Sequence, residues 1–270
     1  MSSILEKLVY KLVPDTKAPE EVAELDERLL ATPAVALERC HALASEMGSC
    51  AITSLKDALV CLKEYSPEIA DSVRKMEKKT DHYEDIIGTY LVKLSALQVT
   101  QKDSTEAAKL LKIIGDFERI SDHSVNLIES AHELSEKKLY LSDTAHRELK
   151  ILSDAVSEIL DLAFKAFADN DLEAAKEVEP LEEIIDDLKE ELRTHHILRL
   201  QQGNCSIEGG FVWSDILTNL ERTSDHCSNI AVSIIDHADM NLHQSLKEIK
   251  SQGTEFDGKY KLYAEKYLHI

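Results

Sequence analysis

The sequence predicts an all-α protein: two tandem antiparallel three-helix bundles, six long helices related by internal duplication, and a weakly helical C-terminal tail. Three observations predict it. The 270 residues include only 8 Gly, 5 Pro and 5% aromatic side chains, which suits helices better than strands. Apolar residues recur at helical spacing through runs of about 30 residues. A phrase of glutamate, three residues and Asp-His occurs as Glu77…Asp81-His82, Glu118…Asp122-His123 and Glu221…Asp225-His226. The last two extend into Phe117 to Asn126 against Leu220 to Asn229, about 100 residues apart, which marks a duplicated unit. The first phrase precedes the second by about 40 residues, one helix and a turn. At the matching distance before Glu221 stands Leu181-Glu182-Glu183-Ile184-Ile185-Asp186-Asp187.

Taken in order, residues 1–31 read as an arm. Its opening, Met1 to Pro14, is weakly amphipathic and suits a surface arm, a partner-bound segment or the sequel to a membrane segment, and 15–31 reads as extended. The first unit, 32–140, begins at Thr32-Pro33, a cap with proline at the first helical position. Its first helix carries Leu37, Cys40, Ala44, Met47, Ala51, Leu55, Ala58 and Leu62 on one face and ends near Tyr65. Ser66-Pro67 restarts the signal for a second helix to about Leu97, with Ile69, Val73, Met76, Thr80, Tyr83, Ile87 and Leu94 inside. Asp103 or Ser104 caps a third, which reaches about Lys138. The second unit, 141–240, repeats the plan: Ser142 caps a helix to about Ala168, and Asn170 starts one that ends near Gln202 with Gly203 as its stop. Pro180 should kink that fifth helix. The sixth runs from about Phe211 to Asp239, and 241–270 is the tail.

A formal net charge of −20 and a pI near 4.9 speak against nucleic acid or an anionic membrane surface, since both need clustered Lys and Arg. The charge suits a cation-binding protein or a strongly solvated bundle. Cys40, Cys50, Cys61, Cys205 and Cys227 form no Cys-x-x-Cys pair, a reduced intracellular pattern. The sequence shows no signal peptide and no apolar run near the ~20 residues that span a bilayer.

A Glu and an Asp four apart on a helix share a face, offset by about 40°. In the third helix Glu118, Asp122 and Asn126 form a stripe well over 100° from the centre of the apolar stripe Leu110, Phe117, Ile120, Ser124, Leu127 and Ala131. The sixth gives the same geometry, with Glu221, Asp225 and Asn229 flanking Leu220, Thr223, Cys227, Ile230 and Ile234. In the second, Glu77, Asp81 and Asp85 climb the flank. In the fifth, Glu182, Asp186 and Glu190 do so beside Leu181, Ile184, Ile185, Leu188 and Leu192, whereas Glu183 and Asp187 fall on the opposite side. A single acidic flank is usually a solvated face. Four with the same handed offset, and no cation within the stripes, instead read as carboxylate patches awaiting a cation. Carboxylate and amide oxygens without Cys or regular His point to Mg, Mn or Fe, with zinc also open. The histidines after each aspartate can supply a flanking ligand or a supporting hydrogen bond. His195 falls on the core stripe and reads as a core histidine.

Glu-x-x-x-Asp pairs on the second and third helices of two tandem bundles, with Glu118-Arg-Ile-Ser-Asp122-His and Glu221-Arg-Thr-Ser-Asp225-His as the strongest matches, resemble the PhoU family over roughly residues 32–240. The lead-in Leu25 to Pro33 is similar to the start of the PhoU-type domain fused behind sodium/phosphate cotransporters. The resemblance implies a multinuclear metal cluster on each bundle, iron or zinc in the first place. One cluster would use Glu77, Asp81, Glu118 and Asp122, the other Glu182, Asp186, Glu221 and Asp225. It further implies a non-enzymatic role, negative regulation of phosphate uptake and signalling at the cytoplasmic membrane face. The partner would be a phosphate transporter or its membrane domain, with a signalling kinase and a second copy of the chain as others. Two further readings stand beside this one. A ferritin-like di-metal oxidase would use inward Glu-x-x-His motifs, for which Glu38…His41 and Glu129…His132 are candidates. A metal-free helical scaffold would carry the acids as solvated faces. No Gly-rich phosphate loop or nucleophile motif supports hydrolase or kinase chemistry.

Overall fold

The computed structural model describes residues 25–235 and 254–268. Helix α1 (Pro33–Lys63) opens with proline at its first position, although Thr32 makes no side-chain cap bond. The next four helices are capped by short polar side chains that accept from the first-turn N–H groups. Ser66 accepts from Ile69 ahead of α2 (Pro67–Ser95). Thr100, rather than the expected Asp103 or Ser104, accepts from Asp103 ahead of α3 (Gln101–Glu136). Ser142 accepts from Ala145 ahead of α4 (Asp143–Ala168). Asp171, one residue past the expected Asn170, accepts from Glu173 and Ala174 ahead of α5 (Leu172–Gln201). Helix α6 begins earlier than the sequence suggests, at Ile207, and is described to Ile235.

Three helices end in the same way. Lys138, Asn170 and Gly203 take positive φ of 52°, 51° and 72°. The next residue's N–H then reaches back five residues, Leu139 to Leu134, Asp171 to Ala166 and Asn204 to Arg199, at 2.9–3.1 Å. Glycine marks only the last of these ends, so Asn170 belongs to the end of α4 rather than the start of α5. Helix α5 runs through Pro180, which is buried. The stretch read as extended contains a 3-10 turn, Glu27–Ala31, capped by Asp26. Tyr90 and Lys93 of α2 hold it through the Asp26 carbonyl and the Glu27 carboxylate.

Helices α1, α2 and α3 pack on one another, as do α4, α5 and α6. The two triplets meet along α3 against α6, with α1 against α4 beside it. One apolar core is continuous through both, and the stripes read from the sequence in α1, α3 and α5 lie within it. The aromatic centre of the seam is Phe117 of α3, edge-on to Phe167 of α4 at 5.3 Å, with His41 of α1 stacked on Phe167 at 4.5 Å. Gly48 of α1 leaves the room that the Phe117 ring fills, since a Cβ there would lie 2.6 Å from Phe117 Cζ.

The tail contributes a further helix, α7 (Thr254–Tyr267), which packs mainly on α5 and touches α4. Its side chains engage the acidic edge of the second triplet. Tyr260 donates to Asp187 at 2.6 Å, Tyr263 to Glu177 at 3.1 Å, and Tyr267, 7% exposed, to Glu158. Lys259 pairs with Glu177 and Lys266 with Glu158. Replacing Tyr263 and Tyr267 together by alanine is expected to remove about 2–4 kcal/mol of docking. Limited trypsin digestion should then cut α7 at its lysines while α1–α6 resists, and a tail still protected in that variant would refute docking by the tyrosines.

Candidate metal centres

The alignment of the two repeats fixes which residues correspond. Ala44 in α1 answers to Leu149 in α4, Val73 and Ile87 in α2 to Val178 and Leu192 in α5, and Phe117 and Leu127 in α3 to Leu220 and Ile230 in α6, all of them buried. The same register pairs Glu77 with Glu182, Asp81 with Asp186, Glu84 with Lys189, Glu118 with Glu221 and Asp122 with Asp225.

In the first repeat, Glu77 and Asp81 from α2 and Asp122 from α3 each bring a carboxylate oxygen within 4.8 Å of the others. Three residues in the second repeat, Glu182, Asp186 and Asp225, do the same. The two remaining expected acids flank these triads. Glu118 lies beside Asp122 and contacts Arg119 at 3.5 Å. Glu221 accepts a salt bridge from Lys189 at 2.8 Å. So a cation does enter the second flank, from one turn along α5, although the sequence stripes contain none.

Repulsion shows in the protonation chemistry. Burial, then the charges of Asp122 and Glu84, push Glu118 up to about 7 against the pull of Arg119. Asp225 is pushed up to about 6 by burial, then by Glu221 and Asp186, with His226 and Lys189 opposing. Glu77 and Asp81 also move up, by burial first and then by Asp122 and their other acidic neighbours. Glu84 is raised by burial and then by Asp85 and Asp81. The sequence reading passed over Glu84, three residues beyond Asp81. Its one signal was that spacing, which places it on the same side of the helix. A set of carboxylate oxygens held together against their own repulsion fits a multiply charged hard or borderline cation.

The histidines of the repeated phrase do something else. His123 Nδ1 lies 2.9 Å from Asn219 Oδ1, and His226 Nδ1 lies 2.9 Å from Asp116 Oδ1. Asn126 and Asn229 reach the same two acceptors at 3.1 and 3.2 Å. Asp116 and Asn219 are repeat-related, so each repeat grips the other through the same three-residue arrangement, with the two imidazoles 5.6 Å apart at the centre. In the phrase Asp-His-x-x-Asn the aspartate therefore faces the acids, while the histidine and asparagine tie the seam. His82, whose helix is not in the seam, is exposed. His195 is half-buried against a buried carboxylate: its Nδ1 lies 2.9 Å from Glu148 Oε1, which Arg199 also engages. The ferritin-like motifs do not assemble inward, because Glu38 and Glu129 are exposed.

The model of the PhoU domain matches residues 44–131 and again 149–234, which is most of both repeats. The chain belongs to the PhoU family. Among its relatives, the phosphate-specific transport system accessory protein PhoU homolog 1 of Thermotoga maritima is 28% identical over 200 residues, covering 73% of this chain and 85% of that protein. The corresponding homolog from Clostridium acetobutylicum is 21% identical and covers 74% of this chain and 90% of that one. In three dimensions the chain is similar to the phosphate transport system regulatory protein PhoU from Streptococcus pneumoniae, with a TM-score of 0.65, 20% identity, and 77% of this chain and 100% of that one covered. PhoU from Pseudomonas aeruginosa gives a TM-score of 0.61 at 23% identity, with 77% of this chain and 96% of that one covered. These likenesses support the helical fold. Both family matches end before α7 begins. No described helix is long and apolar enough to cross a membrane.

Proposed function

We propose that this PhoU-family chain is a metal-loaded, non-enzymatic regulator that restrains phosphate uptake by contacting a phosphate transporter at the cytoplasmic face of the membrane. Family membership and the names of its relatives support the phosphate-transport setting. The observation that carries the metal reading is the repeated triad: repeat-related positions on α2 and α3, and on α5 and α6, each gather three carboxylates within 4.8 Å. Glu77, Asp81 and Asp122 would hold metal in the first centre, with Glu118 and Glu84 beside them. Glu182, Asp186 and Asp225 would hold it in the second, with Glu221 beside them.

A bound multivalent cation supplies the positive charge that these sites lack and can present coordination positions to an anionic group of a partner or to phosphate. The chain's own part is to hold two helices of each triplet at ligand spacing and to lock the repeats through the His-Asn seam.

Elemental mass spectrometry on chain purified without chelator or nickel tests the reading, beside a variant with Glu118, Asp122, Glu221 and Asp225 changed to Gln or Asn. Several equivalents of iron, zinc or manganese are expected in the wild type. They should be absent from the variant while its helical circular dichroism persists. No stoichiometric metal in the wild type, even after reconstitution, would overturn the proposal and leave the stripes as solvated or partner-facing surface.

A further inference from the structure

The two centres are not copies of each other. Where the first repeat has Glu84, the second has Lys189 at the register-equivalent position. In the first centre Glu84 adds a carboxylate beside Asp81 and Asp85, and its charge reaches Glu118 of α3. A groove of about 410 Å³ where α2, α3 and α6 meet is lined among others by Glu84, Glu118 and Asp116 and by the cations Lys112 and Arg119. In the second centre the ammonium of Lys189 lies 2.8 Å from Glu221, and the two side chains are only 23% and 18% exposed. Partial burial makes such a pair stronger than an ordinary surface ion pair. The lysine thus already occupies, as a tethered monovalent charge, part of the role that a metal would take among these carboxylates.

We infer that Lys189 is a built-in counter-cation of the second centre, so that the two centres load unequally: the first takes metal tightly, the second weakly, against the ammonium that Glu221 holds beside its triad. This rests on the metal reading above, and it makes position 84/189 the residue that sets the difference between the centres. Arg119, 3.5 Å from Glu118, has its repeat counterpart in Arg222, so the sign follows from the opposite charges at positions 84 and 189. A cation entering the first centre meets one carboxylate more than the triad and Glu118 supply, whereas a cation entering the second must first break an ion pair or share its ligand field with an ammonium group. A protein with two such centres responds to metal over two concentration ranges rather than one.

The test is a titration of the full chain with Mn2+, following the electron paramagnetic resonance of the free ion, and repeated with Zn2+ by competition. The wild type is expected to show a tight and a weak class of sites. Asp122→Asn should remove the tight class and Asp225→Asn the weak one. Lys189→Met keeps the aliphatic stem while deleting the charge. It should strengthen the weak class by on the order of tenfold, and Glu84→Lys should weaken the tight class by a similar factor. Helical circular dichroism checks that each variant is folded. A weak class unmoved in folded Lys189→Met, a single class of equivalent sites, or loss of the tight class in Asp225→Asn would overturn the inference while leaving metal binding in place. Failure of the wild type to bind either ion would remove the metal reading and this inference with it.

Discussion

Truncation of Phe117 to alanine should lower the free energy of unfolding by about 3–5 kcal/mol, the range for deleting a fully buried aromatic ring. Phe117 has no exposed surface, and its ring sits where three helices meet: against Gly48 of α1, edge-on to Phe167 of α4, and on α3 itself. It is thus shared by both repeats, so its loss should loosen the seam as well as one bundle. The reciprocal change gives a stricter test. Gly48→Ala places a methyl 2.6 Å from Phe117 Cζ, and a core ring cannot swing away without disturbing Phe167 and His41. A cost of about 1–3 kcal/mol is expected from overpacking. Combined with Phe117→Leu, which shortens the side chain, Gly48→Ala should cost less than it does alone, so the pair should be non-additive. Urea unfolding of the wild type, the two single variants and the double variant measures this directly. Strict additivity would show that Gly48 and Phe117 do not share the space the structure assigns them.

Residues that obey simple periodicities were the ones legible in the sequence. The buried faces of α1, α3 and α5 follow from helical spacing, because a helix must turn one stripe towards its neighbours. Both acidic pairs on each repeat follow from the same geometry plus the duplication. What escaped depends on pairing between distant segments. Asp116 and Asn219 stand just ahead of the repeated phrase, but nothing local says that each will receive a histidine from the other repeat. Lys189 lies on the same helix as Asp186 and Glu182, and only folding carries its ammonium to Glu221 on α6. The tail reads as weakly helical because its tyrosines and lysines gain their partners, Glu158, Glu177 and Asp187, only from α4 and α5. Tertiary packing decides such marginal segments.

Buried Glu148 belongs with these. At 1% exposure it would be prohibitive alone, yet Arg199 and His195, both distant in sequence, surround it with donors. Duplication therefore supplied the common frame, while the departures from it carry the specific chemistry: lysine for glutamate at position 189, asparagine for aspartate at 219, and a helix packed on the second triplet.

The metal-free chain is expected to lose stability as pH rises from about 5 to about 8, and to regain it when metal is added. The sign comes from the raised carboxyls. In the folded chain Glu118 keeps its proton up to about 7 and Asp225 up to about 6, because burial and neighbouring acids disfavour their charge. Unfolding releases both groups to ordinary carboxylate behaviour, so through this interval the native state binds more protons than the unfolded one. Stability contributed by these groups is complete at low pH and is lost as pH passes through 6 and then 7. A multivalent cation reverses the trend, since it binds the deprotonated carboxylates that the metal-free fold finds costly. At free metal a thousandfold above its Kd, each centre adds about 4 kcal/mol. For a chain of this size that is roughly 10 °C in the melting temperature per centre. Thermal melts across this pH range, with chelator and with saturating Mn2+, should therefore diverge: falling with pH in the first series, and level or rising in the second. The gap should shrink in Asp122→Asn and in Asp225→Asn, and vanish when both are combined. Parallel curves in the two series would mean that the clustered acids bind no metal, and that their repulsion is relieved by solvent alone.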